Sequence, residues 1–223
     1  MVADIPYVLL IIGTVLVGLW FSNILYDLKV PHYISRKIGH CAGGVGFLIA
    51  GFAFDSARWP IILSFSFGLI LWLARIVRPY TFRGVGGSGR PSNAMAEVWF
   101  PWVAVPVFAV GWWWFNRPFI AVACLLFMAW GDCVTGLVRS AVYGKAVKGL
   151  WGSAAMLVIC LALSWAFISP FWIGLVGSVI ATFVEWSCGD VGLVKWADDN
   201  WAVPLFSLLC ILTISVMTGN IIV

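Results

Sequence analysis

Apolar runs long enough to cross a lipid bilayer follow one another along almost the whole chain. A helix that spans a membrane needs about 20 mostly apolar residues, and glycine, proline and charged residues divide the sequence into such runs. Of the 223 residues, 63% are hydrophobic and only 10% are charged, which excludes an ordinary soluble enzyme and a disordered chain. We therefore predict an all-α polytopic membrane protein with about eight spans. The predicted spans cover residues 6–25, 39–56, 60–77, 97–115, 118–138, 150–168, 170–187 and 203–221.

The length left over by the spans restricts where a functional site can lie. Eight spans use about 160 residues, so the remainder suffices only for short loops and tails. The sequence shows no internal repeat and no linker, and we predict a single transmembrane domain over residues 1–223. The six cysteines contain no Cys-x-x-Cys pair, which argues against a disulfide framework or a zinc site. Any chemistry must then belong to short loops and helix ends.

The basic residues alternate between the two sides of the predicted membrane. Eleven of the 13 fall on one side, and only Arg58 and Arg117 fall on the other. Cytosolic loops carry the excess of Lys and Arg, so we assign the basic side to the cytosol and both termini to the non-cytosolic side. Most of the acidic residues lie on the same basic side, which indicates a cytosol-facing site for an anion and a divalent cation. The eleven residues are Lys29, Arg36, Lys37, Arg75, Arg78, Arg83, Arg90, Arg139, Lys145, Lys148 and Lys195.

A carboxylate lies inside the fifth predicted span. Asp132, Thr135, Gly136 and Arg139 are spaced so that they share one stripe of a helix. One interpretation is a structural pair between Asp132 and Arg139 that locks helices together. We favour a functional role, because an ionisable residue at membrane depth is costly and usually serves a site.

The sixth span opens with Gly-Lys145-Ala-Val-Lys148-Gly-Leu-Trp-Gly152-Ser153. Glycines allow the backbone to approach a ligand closely, a helix start offers free N–H groups, and the lysines supply positive charge. These features suit a phosphate-binding segment. The alternative is a basic anchor at the membrane surface. A second basic segment leads into span two, where Arg36 and His40 share a helix face beside Lys37 and fit either a phosphate or a snorkelling anchor.

Two further acidic positions lie on the basic side. Glu185 ends a small, polar stripe along span seven, and that stripe indicates helix packing apart from its carboxylate. Asp198, Asp199 and Asn200 precede span eight. Adjacent oxygen donors beside a basic surface suit Mg²⁺, which takes carboxylates together with substrate phosphates. The alternative is an acidic loop that caps the last helix.

Taken together, these segments resemble one family, the CTP-dependent lipid-alcohol kinases, which include dolichol kinase, phytol kinase and the yeast-type diacylglycerol kinase. The resemblance runs from about residue 33 to 205. Glu97, in Ala-Glu-Val-Trp-Phe-Pro, matches a further segment of that family. The motifs that carry the resemblance are Arg36-Lys37-x-x-His40, Gly131-Asp132, the Lys145–Ser153 segment and Asp199-Asn200-x-x-Val203-Pro204.

The resemblance implies transfer of the γ-phosphoryl group of CTP, with Mg²⁺ as cofactor, to the hydroxyl of a lipid alcohol in the membrane. The partners expected are therefore a nucleoside triphosphate and a lipid alcohol, not nucleic acid. The metal ligands would be Asp132, Asp199 and Asn200, and Asp132 would be essential to catalysis. The base would be Glu97 or Glu185. The phosphate-binding residues would be Arg36, Lys37, His40, Arg139, Lys145, Lys148, Gly152 and Ser153.

The residues leave other activities open. A CTP-dependent phosphatidate cytidylyltransferase shares the Gly-Asp and Gly-Ser regions, and a small membrane transporter would also bury carboxylates. A transporter would place them near the middle of the membrane, whereas here they collect towards one side of the predicted spans. The sequence does not distinguish CTP from ATP or GTP, nor a polyprenol from phytol or diacylglycerol.

Overall fold

The computed structural model of the protein describes residues 4–86, 95–144, 147–189, 192–194 and 196–220. Within these ranges the chain is helical apart from short connections, and the one β-type contact is an isolated bridge between Cys188 and Val194. The all-α prediction is confirmed for this part of the chain. Lys145, a predicted phosphate contact, lies outside the described residues, as do Arg90 and Lys195 from the charge pattern.

Five of the described helices are long and apolar enough to cross a membrane. A sixth, Phe171–Ser187, is apolar but shorter. These helices support the prediction of a membrane protein, while the count of eight spans and the orientation of the termini remain predictions. The five are Ile5–Asp27, Arg58–Val77, Pro118–Tyr143, Leu150–Phe167 and Asp199–Met217.

The chain forms two compact units, Met1–Val105 and Pro106–Val223. The prediction of a single domain stays a prediction. The helices met along the first unit are α1 (Ile5–Asp27), α2 (His32–Ala53), α3 (Arg58–Val77) and the greater part of α4 (Ala96–Val107). In the second unit a π-helical segment, Phe108–Trp114, precedes α5 (Pro118–Leu126), and a second one, Phe127–Gly131, leads into α6 (Asp132–Tyr143). The last three helices are α7 (Leu150–Phe167), α8 (Phe171–Ser187) and α9 (Asp199–Met217).

Close packing of α1 against α2 is the main feature of the first unit. A Cβ atom placed on Gly18 of α1 would collide with the side chain of Ala42 on α2. Small residues at such a contact let two helix backbones approach and gain dispersion contacts, which is how helices associate in a lipid environment. Gly18 is therefore required by the packing of the two helices.

The second unit is built around the continuous helical stretch Pro118–Tyr143. Of its most apolar 18-residue window, 78% is buried inside the protein. A helix that is apolar on all sides belongs in the middle of a bundle, and Leu125, Leu126 and Phe127 have no exposed surface. This stretch therefore carries Asp132 through the core of the unit.

The helical stretch changes geometry directly before its carboxylate. The π-helical segment Phe127–Gly131 ends at the residue before Asp132. A Cβ on Gly131 would lie only 2.6 Å from the sulfur of Met156, so the absence of a side chain allows α7 to approach. The hydroxyl of Thr135 donates to the Gly131 carbonyl at 2.8 Å and contacts the Gly152 carbonyl at 3.3 Å. These contacts fix the start of α6 against the start of α7.

Replacement of Gly18 by alanine should destabilise the first unit, because the new methyl group overlaps Ala42. Overpacking of this kind costs about 1–3 kcal/mol, which lowers the melting temperature by several degrees. The matched control is Gly13→Ala on the same helix, where a Cβ meets nothing within 4 Å. Thermal unfolding of the detergent-purified variants measures both. Equal melting temperatures for the two variants would contradict the close α1–α2 contact.

Candidate functional site

A fully buried carboxylate stands at the centre of the second unit. Glu185, near the end of α8, has no exposed surface. Arg139 of α6 donates to it through both terminal nitrogens, at 2.8 and 2.9 Å. Lys148 donates to the same carboxylate at 2.7 Å and also to the Glu185 backbone carbonyl. A buried charge is tolerated only when it is paired and hydrogen-bonded, and both conditions are met here.

Gly152 has a spatial role in this ion-pair group. A Cβ on Gly152 would lie 2.8 Å from Cγ and 3.1 Å from Cδ of Arg139. The missing side chain therefore gives the Arg139 stem room to run past α7 towards Glu185. The sequence suggested that Gly152 belongs to a phosphate-binding segment. That role remains a prediction, whereas the close approach of Gly152 to Arg139 is found in the structure.

The alternative pair proposed from the sequence, Asp132 with Arg139, is not the arrangement found. Arg139 gives its bidentate interaction to Glu185, which is 46 positions further along the chain. Asp132 instead belongs to a group of carboxylates. One oxygen each of Asp132, Glu185 and Asp199 lies within 4.8 Å of the other two.

The spacing of these three oxygens suits a divalent cation. Mg²⁺ binds oxygen at about 2.0–2.1 Å and Ca²⁺ at 2.3–2.6 Å, so two ligands of one ion lie at most about 4.2 or 5 Å apart. A limit of 4.8 Å among the carboxylate oxygens is inside the calcium range and a few tenths of an ångström wider than the magnesium range. Asp132 and Asp199 therefore need only small side-chain movements to share one ion, whereas Glu185 would first have to give up a hydrogen bond to Arg139 or Lys148.

Two buried, uncharged oxygens, one on Asn200 and one on Ser187, have no hydrogen-bond partner in the described part of the chain. Asn200 is 1% exposed, and its amide nitrogen donates to Asp198 at 2.7 Å, which fixes the orientation of the amide. Its side-chain oxygen and the Ser187 hydroxyl are buried without a hydrogen-bond partner among the described residues. Buried polar atoms normally have a partner. An amide oxygen is a ligand that hard cations accept, so Asn200 fits the metal-binding role that the sequence predicts.

Among the described residues, the charged side chains of the carboxylate group and its two cations nearly balance. Asp132, Glu185 and Asp199 contribute three negative charges, while Arg139 and Lys148 contribute two positive ones. Lys148 also lies 3.6 Å from an Asp199 oxygen, so it links two of the carboxylates. A bound divalent cation would change the sum of these charges from −1 to +1. The group could then attract the phosphates of a nucleotide.

Cys188 is the thiol next to this group in the chain. It follows α8, and burial raises its pKa, with the negative charge of Asp199 raising it further. The thiol therefore stays protonated at neutral pH. A metal ligand or nucleophile would need the thiolate form, so the arrangement favours oxygen ligands.

A mostly apolar groove of about 350 Å³ lies between α7 and α8. Its polar members are Ser153, which follows Gly152, and Thr182. The Ser153 hydroxyl is buried and makes no hydrogen bond to any residue in the described ranges. The groove is therefore apolar along most of its length, and one of its lining residues has a buried hydroxyl without a partner in the described part of the chain. The other lining residues are Leu150, Leu157, Val179, Phe183 and Trp186.

The remaining predicted site residues belong to the first unit. Arg36, Lys37 and His40 lie on α2 and are 9, 5 and 3% exposed. His40 stacks on Phe100, with 4.3 Å between the ring centroids and 30° between the ring planes. Glu97 is also buried there and forms an ion pair with Arg75. The structure thus groups these residues inside the first unit and leaves their roles in phosphate binding and catalysis as predictions.

Sequence reasoning overlooked two features of the structure. It did not identify the buried hydroxyl of Ser187, which no charge or motif marks. It also used Arg75, Arg78 and Arg83 only to orient the chain, although all three lie within the last turn of the third predicted span or the six residues after it. No protein-family model, curated protein or solved structure matches this chain. The site must therefore be interpreted from its own chemistry.

Replacing Glu185 with glutamine should be strongly destabilising. The change leaves Arg139 and Lys148 without their shared anion, and removing one partner of a buried ion pair costs about 3–5 kcal/mol. The matched control is Asp27→Asn, which breaks the exposed pair of Asp27 with Arg83 and should change the melting temperature little. Thermal unfolding in detergent distinguishes the two. A Glu185→Gln variant as stable as the control would show that the ion-pair group does not support the fold.

Proposed function

We propose that the protein is a lipid kinase that transfers the γ-phosphoryl group of a nucleoside triphosphate, with CTP the first candidate, to the hydroxyl of a membrane lipid alcohol. The observation that carries the proposal is the carboxylate group of Asp132, Glu185 and Asp199, which have one oxygen each within 4.8 Å of the other two. Arg139 and Lys148 pair with its central member, Glu185. Phosphoryl transfer depends mainly on positioning and charge neutralisation, and this group offers both.

The metal-binding role falls to Asp132, Asp199 and Asn200. The first two offer carboxylate oxygens in the group, and the third offers a buried amide oxygen that has no hydrogen-bond partner in the described part of the chain. Mg²⁺, when bound, would neutralise phosphate oxygens and help to orient the triphosphate. The oxygen-only ligand set and the protonated thiol of Cys188 favour such a hard cation.

The two cations of the group have different roles in this proposal. Both terminal nitrogens of Arg139 are used by Glu185, so Arg139 mainly holds that carboxylate in place. Lys148 has a flexible side chain and three donors, and it is 11% exposed. It can turn from Glu185 to a phosphate with less loss of structure. We therefore assign direct contact with the triphosphate to Lys148 and positioning to Arg139.

The groove between α7 and α8 supports a lipid acceptor. Its walls are almost entirely apolar, and Ser153 is one of its two polar lining residues. An alkyl or isoprenoid chain gains about 0.8 kcal/mol for each buried CH₂ group, and a lipid hydroxyl could bond to the Ser153 oxygen. A cytosol-facing site, as the distribution of basic residues suggests, would give the nucleotide access from the aqueous side.

In the proposed reaction the alcohol oxygen forms a bond to the γ-phosphorus while the bond from that phosphorus to the bridging oxygen breaks. The nucleoside diphosphate leaves, and the hydroxyl proton passes to a base. Glu97 and Glu185 remain the predicted bases. For Glu185 this role requires one of its three side-chain hydrogen bonds to be given up first, because Arg139 and Lys148 already occupy its oxygens.

Product analysis tests the reaction type. Purified protein would be incubated with labelled CTP, ATP or GTP, Mg²⁺ and a panel of polyprenol, phytol and diacylglycerol. A kinase yields a phosphorylated lipid and a nucleoside diphosphate. A cytidylyltransferase given phosphatidate would instead yield a nucleotide-linked lipid and pyrophosphate, and a transporter would yield no new lipid. Failure to phosphorylate any alcohol in the panel would count against the proposal.

Conversion of Asp132 or Asp199 to asparagine should abolish transfer, because each change removes an anionic metal ligand while keeping the size of the side chain. The loss should reach about 100-fold or more, since a metal supplies several kcal/mol of transition-state stabilisation. The exposed carboxylate of Asp55 provides the control, and Asp55→Asn should retain activity. Turnover is measured over a range of Mg²⁺ concentrations. Near wild-type turnover at limiting Mg²⁺ would show that the altered residue is not a ligand.

Removal of the Lys148 amine should weaken kcat/KM for the nucleotide by about 10- to 200-fold, since a charge-assisted contact is worth about 1.5–3 kcal/mol. Lys148→Arg, which keeps the charge, should recover part of the loss. Arg117→Ala is the control because Arg117 is exposed and precedes α5, away from the ion-pair group in the chain. Initial rates at saturating alcohol and varied CTP provide the values. Small, equal effects of Lys148→Ala and Arg117→Ala would assign the basic segment to membrane anchoring.

A further inference from the structure

The end of α3 in the first unit opens onto a cavity of about 390 Å³. Three arginines reach it: Arg75 from the last turn of the helix, Arg78 at its end and Arg83 from the connection that follows. Leu71 and Phe82 supply apolar wall, and Glu97 is the acidic member. We refer to this cavity as the arginine pocket. None of its arginines is used by the proposed reaction.

Two of the arginines are held in place by carboxylates. Arg75 pairs with the buried carboxylate of Glu97. Arg83 donates from Nε to Asp27 at 2.7 Å and forms a second bond to the same carboxylate. The hydrogen bond to Asp27 raises the pKa of Arg83, so this guanidinium remains charged at any physiological pH.

Arg78 differs from the other two arginines. It is exposed, and it forms no ion pair with the carboxylates of the described ranges. Among the described residues, the three guanidinium groups of the arginine pocket and the carboxylates of Asp27 and Glu97 leave one positive charge in excess. Since both carboxylates are used by Arg75 and Arg83, the excess is found at Arg78, where an incoming anion can be bound.

The connection that follows α3 forms one wall of the arginine pocket, and hydrogen bonds within the first unit hold it in place. Asn23 of α1 donates to the Thr81 carbonyl at 2.9 Å and accepts from the Gly84 N–H at 2.8 Å. Ser35 of α2 donates to the Gly84 carbonyl at 2.9 Å. A Cβ on Gly84 would collide with the backbone of Ser22, so the wall packs directly on α1. A wall that is already ordered lowers the entropy cost of binding a ligand.

The chemistry of the pocket indicates its ligand. The guanidinium fork matches the oxygen geometry of phosphate and can bind it through two hydrogen bonds. Arginines that serve only to anchor a helix at the membrane surface extend towards water and do not need a shaped cavity with an ordered wall. The apolar surface of Leu71 and Phe82 fits the first carbons of a chain attached to the phosphate.

We propose that the arginine pocket is a binding site for a phosphate group, with Arg78 as its main free contact and Arg75 and Arg83 as positioned neighbours. The phosphate can belong to the headgroup of an anionic lipid or to a soluble phosphate compound. The site lies wholly within the first unit, and Glu97 is the one of its lining residues that the proposed kinase reaction also uses.

Binding measurements without turnover test this site. The whole protein in detergent micelles is titrated with phosphatidic acid and, as the uncharged comparison, with phosphatidylcholine, and complexes are quantified by native mass spectrometry. A second arm titrates inorganic phosphate alone, and calorimetry measures its binding. Arg78→Ala should weaken the binding of either phosphatidic acid or inorganic phosphate by about 5- to 10-fold, as expected for one charge-assisted contact that is partly exposed.

Control variants show whether a loss of binding comes from the arginine pocket or from the overall positive charge of the protein surface. Arg58→Ala removes an exposed arginine at the other end of the same helix and should change binding by less than twofold. Arg78→Lys should restore part of the affinity, and equal melting temperatures of the variants ensure that only folded protein is compared. Sensitivity of phosphatidic acid binding to Arg78 identifies a lipid headgroup as the ligand, whereas sensitivity only in the second arm identifies a soluble phosphate. Equal effects of Arg78→Ala and Arg58→Ala, or no effect of Arg78→Ala in either arm, would overturn the proposal.

Discussion

The buried carboxylate of Glu185 is the constraint on which the second unit depends. A charge with no exposed surface is stable only if cations meet it with good geometry, and here Arg139 and Lys148 do so from two other parts of the chain. That requirement holds three parts of the chain together, namely α6, the segment that precedes α7, and helix α8. It also explains Gly152, where any side chain would block the Arg139 stem. The same arrangement brings Asp132 and Asp199 within 4.8 Å of Glu185, so the packing of one ion-pair group creates a candidate metal site.

The site is assembled from helix ends because membrane-spanning backbone has few alternatives to helix. Asp132 follows a π-helical turn, Glu185 comes near the end of α8, and Asp199 begins α9. Irregular turns and termini are the places where a helical protein can bring polar side chains together without leaving backbone groups unsatisfied. Among the described residues, the charges of the three carboxylates and the two cations nearly cancel, which limits the cost of burying them together.

The two units use arginine in contrasting ways. Arg139 is buried, has both terminal nitrogens on one carboxylate and is suited to support the architecture. Arg78 is exposed at the edge of a cavity whose acidic neighbours are already paired, and it is suited to bind a ligand. Charge alone does not separate these roles, since both residues count equally in the distribution of basic residues. Burial and the position of the nearest carboxylate decide them.

The sequence alone was sufficient for the long apolar helices, the all-helical architecture and the three members of the carboxylate group, because long apolar runs and charges at their ends are local properties of the chain. It also marked Asp132, Glu185 and Asp199 as separate candidates. It could not decide which acid Arg139 would meet. Asp132 and Arg139 are seven positions apart, which places them on one stripe of a helix but about 10 Å apart along its axis. Only long side chains can meet across that distance. Tertiary packing places Glu185, 46 positions away, within 2.8 Å of Arg139. The partner of a buried charge is chosen by which helices pack together, and that choice depends on glycines such as Gly131 and Gly152, whose importance is visible only when the neighbouring helix is in place.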